Sequence, residues 1–120
     1  MNCGNNHLLE VLNLINNLQE NAISVDNDTC SRPILGNNAT VYNTRPVSFY
    51  LCNNDLLTVS YGVLESSVFR VEDVCRDSVT VRLLSQSDDG TITATNEMAT
   101  INIKCIAAIR CLNDVSLSLL

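Results

Sequence analysis

From residue 47 onward, apolar and polar positions alternate. In "VSFYLC" Val47, Phe49 and Leu51 share one side and Ser48, Tyr50 and Cys52 the other, the period-two pattern of a half-buried strand. In "VFRVEDV" Phe69 and Val71 oppose Arg70 and Glu72, and in "SVTVRLL" Val79, Val81 and Leu83 turn inward while Thr80 and Arg82 turn out. "SQSDDG" reads as a hairpin turn in which Gly90 can take positive φ. "LLTVSY", "TITAT", "ATINIKCIAAIRC" and a short "VSLSLL" complete a series of six to eight strands. Before residue 47 the period changes. Leu8, Val11, Leu12, Ile15, Leu18 and Ala22 recur at helical spacing, with Asn13, Asn16, Asn17, Gln19 and Glu20 between them as a solvated face. Residues 1–5 are expected to be a flexible start, 6–22 an amphipathic helix, 24–46 an irregular loop punctuated by Asp, Asn, Gly and Pro, and 47–120 a β-rich body. The expected fold is one mainly β domain, an antiparallel sandwich or open barrel preceded by a single helix. Regular alternation of strands and helices is missing, which argues against a doubly wound sheet.

Length and composition agree with one domain. The chain has 120 residues, 46% of them hydrophobic, enough for a core without metal or disulfide staples. Trp is absent, so packing rests on Leu, Val and Ile. Charge narrows the partners. The formal net charge is −6, and the chain has one Lys and six Arg against thirteen acids. Nucleic acid and anionic membrane surfaces are therefore not expected partners. The apolar stretch "HLLEVLNLI" has no cationic leader and contains Glu10, so neither an export signal nor a membrane span is expected. Cytosolic synthesis fits poorly with six cysteines in permanent disulfides. That tension makes the thiols the feature to explain.

Neither catalysis nor metal binding accounts for them. The one histidine, His7, lies at a helix start with no group to orient it as the base of a Cys–His pair. Successive cysteines are 27, 22, 23, 30 and 6 residues apart, without the close pairs of a structural zinc site. "DND" at 26–28 lacks the downstream Gly and Glu of a calcium loop. No glycine-rich phosphate cradle is present. The expectation is no enzyme, no metal and no cofactor.

Geometry addresses "INIKCIAAIRC" next. As one strand, it puts Ile101, Ile103, Cys105, Ala107, Ile109 and Cys111 on a single small-to-medium apolar face. Cys105 and Cys111 are then core residues. Six residues of strand span about 20 Å, too far for a bond that needs Cα atoms within roughly 7 Å, unless a sharp bend intervenes. Cys52 falls opposite Phe49, outward or at a strand end. Cys3 and Cys30 sit in loose polar segments, and Cys75 adjoins the "CRD" turn.

At "NTRP" (43–46), "VFRVEDVCRDSVTVRLL" (68–84) and "IKCIAAIRCLNDV" (103–115) the sequence resembles the cysteine-rich spore coat and exosporium proteins of spore-forming bacteria, the CotY/CotZ/ExsY group. "LINNLQENA" (14–22) fits in the same order. The long signatures cover about a third of the chain. The resemblance implies a non-catalytic structural protein. Such proteins are made in the mother cell without a signal peptide and deposited on the forming spore. They assemble there into homo-oligomers, hexamers and extended two-dimensional lattices alongside other coat and exosporium proteins, hardened by disulfides between subunits. Oxidation after mother-cell lysis would resolve the compartment tension. By resemblance, Arg45, Pro46, Phe69, Arg70, Val71 and Glu72 are signature structural residues. Cys3, Cys30 and Cys52 become candidates for links between subunits, and Cys75, Cys105 and Cys111 candidates for core or intramolecular roles. Ala107 stands where that group often has cysteine, which implies sparser cross-linking here. The alternative is a coat adaptor with reduced thiols that docks other spore proteins.

Overall fold

The computed structural model describes residues 6–27 and 42–118. The expectations placed on residues 1–5, on 28–41, on Cys3 and on Cys30 fall outside them. The architecture is mainly β with one N-terminal helix. Helix α1 (Asn6–Asn27) is followed by β1 (Val47–Leu51), β2 (Val59–Tyr61), β3 (Leu64–Ser66), β4 (Val68–Val74), β5 (Ser78–Gln86), β6 (Ile92–Asn102) and β7 (Ile106–Cys111). Five strands form an antiparallel sheet in the order β6-β5-β4-β1-β7, and β2 and β3 form a separate hairpin. The barrel does not close.

The alternation read from the sequence decides the two faces. Val47 and Phe49 of β1, Phe69 and Val71 of β4, and Val79, Val81 and Leu83 of β5 are buried together with Ile101, Ile103 and Ile106. Phe49 and Phe69 stack with ring centroids 5.6 Å apart. On the other face a smaller cluster of Val68, Leu84 and Leu117 is joined by Ile92, Ala94, Leu112 and Val115. Leu117 is buried by the chain running back across this face. "VSLSLL" keeps its inward alternation without becoming a strand in its described part. Its one ladder contact is an isolated bridge between Val115 and Thr44. The Asn43 side chain supplies the next rung, accepting from Leu117 N (3.0 Å) and donating to Leu117 O (2.9 Å).

A flat five-stranded sheet would hold its outer strands roughly 19 Å apart. Yet only the turn Ile103–Cys105 links β6 to β7, the two outermost strands. Those few residues can reach at most about 14 Å, so the sheet folds over on itself. β1 makes this possible by meeting β4 at a single register pair, Val47↔Phe69, before diverging.

Helix α1 runs five residues past the expected end at 22, with neither Pro nor Gly to stop it before Asn27. Residues 24–27 are therefore helical rather than part of a loop. The core-facing stripe also differs. Leu12, Ile15 and Gln19 are buried, whereas Leu18, expected inside, is 59% exposed and stands beside Leu14, equally exposed. Helical spacing does not separate adjacent stripes 40–60° apart, and the packing chose the one headed by Leu12.

The largest correction concerns residues 101–111. They do not form one strand. β6 ends at Asn102, a 3-10 turn occupies Ile103–Cys105, and β7 begins at Ile106. Asn102 accepts from Lys104 N (2.9 Å) and caps that turn. A second shift in parity follows at once, because the β1–β7 register slips between Tyr50 and Leu51. Cys105 is consequently exposed rather than in the core, and Cys75 is exposed as well; Cys111, for which the two inversions cancel, keeps the side of Ile109 but is exposed at the end of β7, where it lines an open groove.

Candidate functional site

The signature residues gather where the chain before β1 meets β4. Pro46, Phe69 and Val71 are fully buried. Arg70, on the opposite face of β4 from the main core, is 4% exposed. Its guanidinium is fully engaged: Nε donates to Thr44 Oγ1 (2.8 Å), one terminal nitrogen to Glu72 Oε2 (2.7 Å) and the other to Asn43 O (3.1 Å). Glu72 Oε2 also accepts from Arg82 Nε (3.1 Å), and Arg82 donates onward to Thr95 O (3.0 Å). One carboxylate thus neutralises two guanidinia on neighbouring strands. The group fastens the segment at 43–44 to the sheet, and through Asn43 it fastens Leu117.

On the core side Gln19 does comparable work. Continuing the Val47↔Phe69 register would set Arg45 opposite Val71. The Gln19 amide sits in that place, donating to Val71 O (2.7 Å) and accepting from Arg45 N (3.1 Å). It stands between β4 and the chain ahead of β1 and satisfies both backbone groups. Expected on the solvated helix face, Gln19 is instead buried.

Arg45 is exposed and pairs with Asp114. The Asp114 carboxylate holds the Arg45 guanidinium above its ordinary pKa, and nearby Cys111 acts in the same direction. Arg45, Asp114 and Cys111 border an open groove of about 400 Å³ whose apolar wall is Leu14, Leu18 and Tyr42.

Among the described residues three thiols are free and exposed: Cys75, Cys105 and Cys111. Cys75 follows β4 at the turn into β5, with Sγ 3.8 Å from Asp73 Oδ2. Cys105 closes the 3-10 turn, and Cys111 ends β7. Cys105 and Cys111 bracket β7, whose length of roughly 17 Å separates them. Cys52 is disulfide-bonded and offers no free thiol. Its Sγ lies 3.4 Å from Cys105 O and 3.6 Å from Lys104 O. Among the described residues no group of three or more His, Cys, Asp or Glu gathers to hold a metal, and no described helix is long and apolar enough to cross a membrane.

The arrangement is therefore a braced sheet with thiols at strand ends and turns, and an apolar groove beside one of them. The burial of Gln19 and the exposure of Leu14 and Leu18 were missed in the sequence, where a helix stripe of Leu and a lone amide carry no sign of their orientation. Set against known proteins, the chain matches no family model, and no curated protein or solved structure matches it significantly.

Proposed function

We propose that the protein is a non-catalytic structural subunit of the bacterial spore coat or exosporium. It joins copies of itself into a two-dimensional lattice and is hardened by disulfides between subunits. The supporting observation is the exposure of three free thiols on a folded, internally braced domain. Surface thiols are a liability for a soluble monomer and useful for a chain meant to be cross-linked. Each link forms from two thiols, which lose two protons and two electrons to an oxidant such as dioxygen. In a reducing mother cell the thiols persist; on lysis they oxidise. Repeated weak contacts per subunit supply the avidity of a sheet before any covalent bond forms. Cys75, Cys105 and Cys111 take the linking role in this reading. The spore itself enters through the sequence resemblance.

The test is to express the chain in a reducing cytosol, purify it with and without reductant, and examine both samples by negative-stain microscopy and non-reducing gels. Ordered sheets are expected in both, with ladders of linked species after oxidation that collapse on reduction. A chain that stays monomeric and monodisperse in both conditions at high concentration overturns the proposal.

A further inference from the structure

The two outer strands of the sheet present different edges. That of β6 is interrupted: its register with β5 jumps between Arg82 and Leu84, setting Thr95, Asn96 and Glu97 against Leu83 alone, two extra residues. Such irregularities blunt an edge against further pairing. β7 is regular from Ala108 to Cys111, contains no Pro, and exposes Ala107, Ala108, Arg110 and Cys111. Leu112 N donates to Pro46 O (2.8 Å). With the register Val47↔Cys111 and Phe49↔Ile109, this turns the backbone groups of Ala108, Arg110 and Leu112 toward β1 and those of Ile109 and Cys111 outward. Among the described residues no backbone group bonds to these outward ones.

We infer that this edge pairs with the β7 edge of a second copy, antiparallel about a twofold axis at Ile109. The inference rests on the self-assembling reading above and names one of its contacts. Chemistry selects both the occupant and the register. Outward groups must meet outward groups, so Ile109 faces either Ile109 or Cys111 of the second copy. The latter would set Arg110 directly against Arg110, like charges opposite each other. The former sets the two Ile109 residues together, Cys111 opposite Ala107 of the second copy, and Arg110 opposite Ala108 of the second copy, a residue too small to obstruct it. The strand ends then complement each other in charge. Lys104 precedes β7 and Asp114 follows it, so each end brings Lys104 toward the second copy's Asp114, whose charge its own Arg45 already partly offsets. A β7 edge is thus complementary to itself, which an arbitrary peptide would not be. The apolar groove of Leu14, Leu18 and Tyr42 reaches Cys111 and adjoins the pairing edge, so the second copy also shields apolar surface.

Position 108 tests the register without disturbing the fold, because Ala108 is exposed. Dimerisation of the full chain is measured by analytical ultracentrifugation in reductant, with thermal melts to confirm folding. Ala108→Lys sets a lysine against Arg110 of the second copy, twice per dimer, and weakens dimerisation by about tenfold; Ala108→Glu tightens it by about as much. Association that neither variant changes, or that both change in the same direction, overturns edge pairing while leaving self-assembly in place. A chain that is monomeric at every concentration overturns both readings.

Discussion

Arg70 is the residue on which the second face of the sheet depends. Its charge is buried and fully hydrogen-bonded, and removing a partner from such a pair costs more than the pair contributes. Arg70→Ala leaves Glu72 facing only Arg82 and strips the donors from Thr44 and from the carbonyl of Asn43. The expected loss is about 3–5 kcal/mol in chemical denaturation. Arg70→Lys recovers little of it, because an ammonium group cannot reach three acceptors in the same fork. A loss under 1 kcal/mol would show that the network is dispensable. The sequence exposed part of this arrangement. Alternation in "VFRVEDV" put Arg70 and Glu72 on one side, because a strand's period is local. It could not show that Arg70 is buried, since the chain that covers it comes from residues 43–44. Gln19 was misplaced for the same reason: its acceptor, Val71 O, lies 52 residues away.

At the scale of elements, the turn of the β5–β6 hairpin was legible, whereas the merging of "TITAT" and "ATIN" into one strand β6 and the β6–β7 passage were not. In the hairpin, Gly90 takes φ +91° as the turn requires. The Asp89 carboxylate accepts from Ser87 Oγ and from Thr91 N (2.9 Å). These bonds, led by that from Ser87, lower the Asp89 pKa to about 2. A depressed carboxylate supports the fold above its unfolded value of about 3.9, and that support is lost as pH falls through about 2. An NMR titration of the Asp89 carboxyl carbon should have its midpoint near that lower value. A midpoint near the ordinary value would mean the turn bonds do not hold in solution. Asp89→Asn should remove the acid dependence of hairpin opening between those limits, measured by amide exchange. In "INIKCIAAIRC", by contrast, period-two reasoning failed at a capped 3-10 turn and at a register slip, each of which inverts parity. Nothing in the composition of that run marks either event. Ile and Ala fit a strand throughout, and the small side chains on both faces concealed the change.

For the molecule as a whole, the consequence is a reactive surface on a closed interior. Cys75, Cys105 and Cys111 should be modified by a small alkylating reagent without denaturant, each at a rate within about tenfold of the same thiol in the unfolded chain, read by peptide mass spectrometry. Slow modification of Cys105 or Cys111 in the native state would restore the core placement that strand parity had suggested. The overall class, one helix ahead of an antiparallel sheet, was readable because long alternating runs leave few alternatives. How the outer strands meet was not, because it depends on one short turn and on the single register pair between β1 and β4.

The clasp between the ends of the body, Thr44 with Val115 and β1 with β7, also sets the order of events during synthesis. β1 is made ahead of the other strands described, and its partner β7 after all of them. Until residues 106–115 emerge, β1 has its single register pair with β4 and its bonds to residues 55–57, and its other edge has no strand partner. Contacts between such distant segments form slowly, and an unpaired strand is prone to wrong partners. The same delay has a protective side. β7, the strand through which copies are proposed to meet, does not exist until β1 to β6 have been made, so a nascent chain that has reached only β6 carries no such edge with which to enter an assembly.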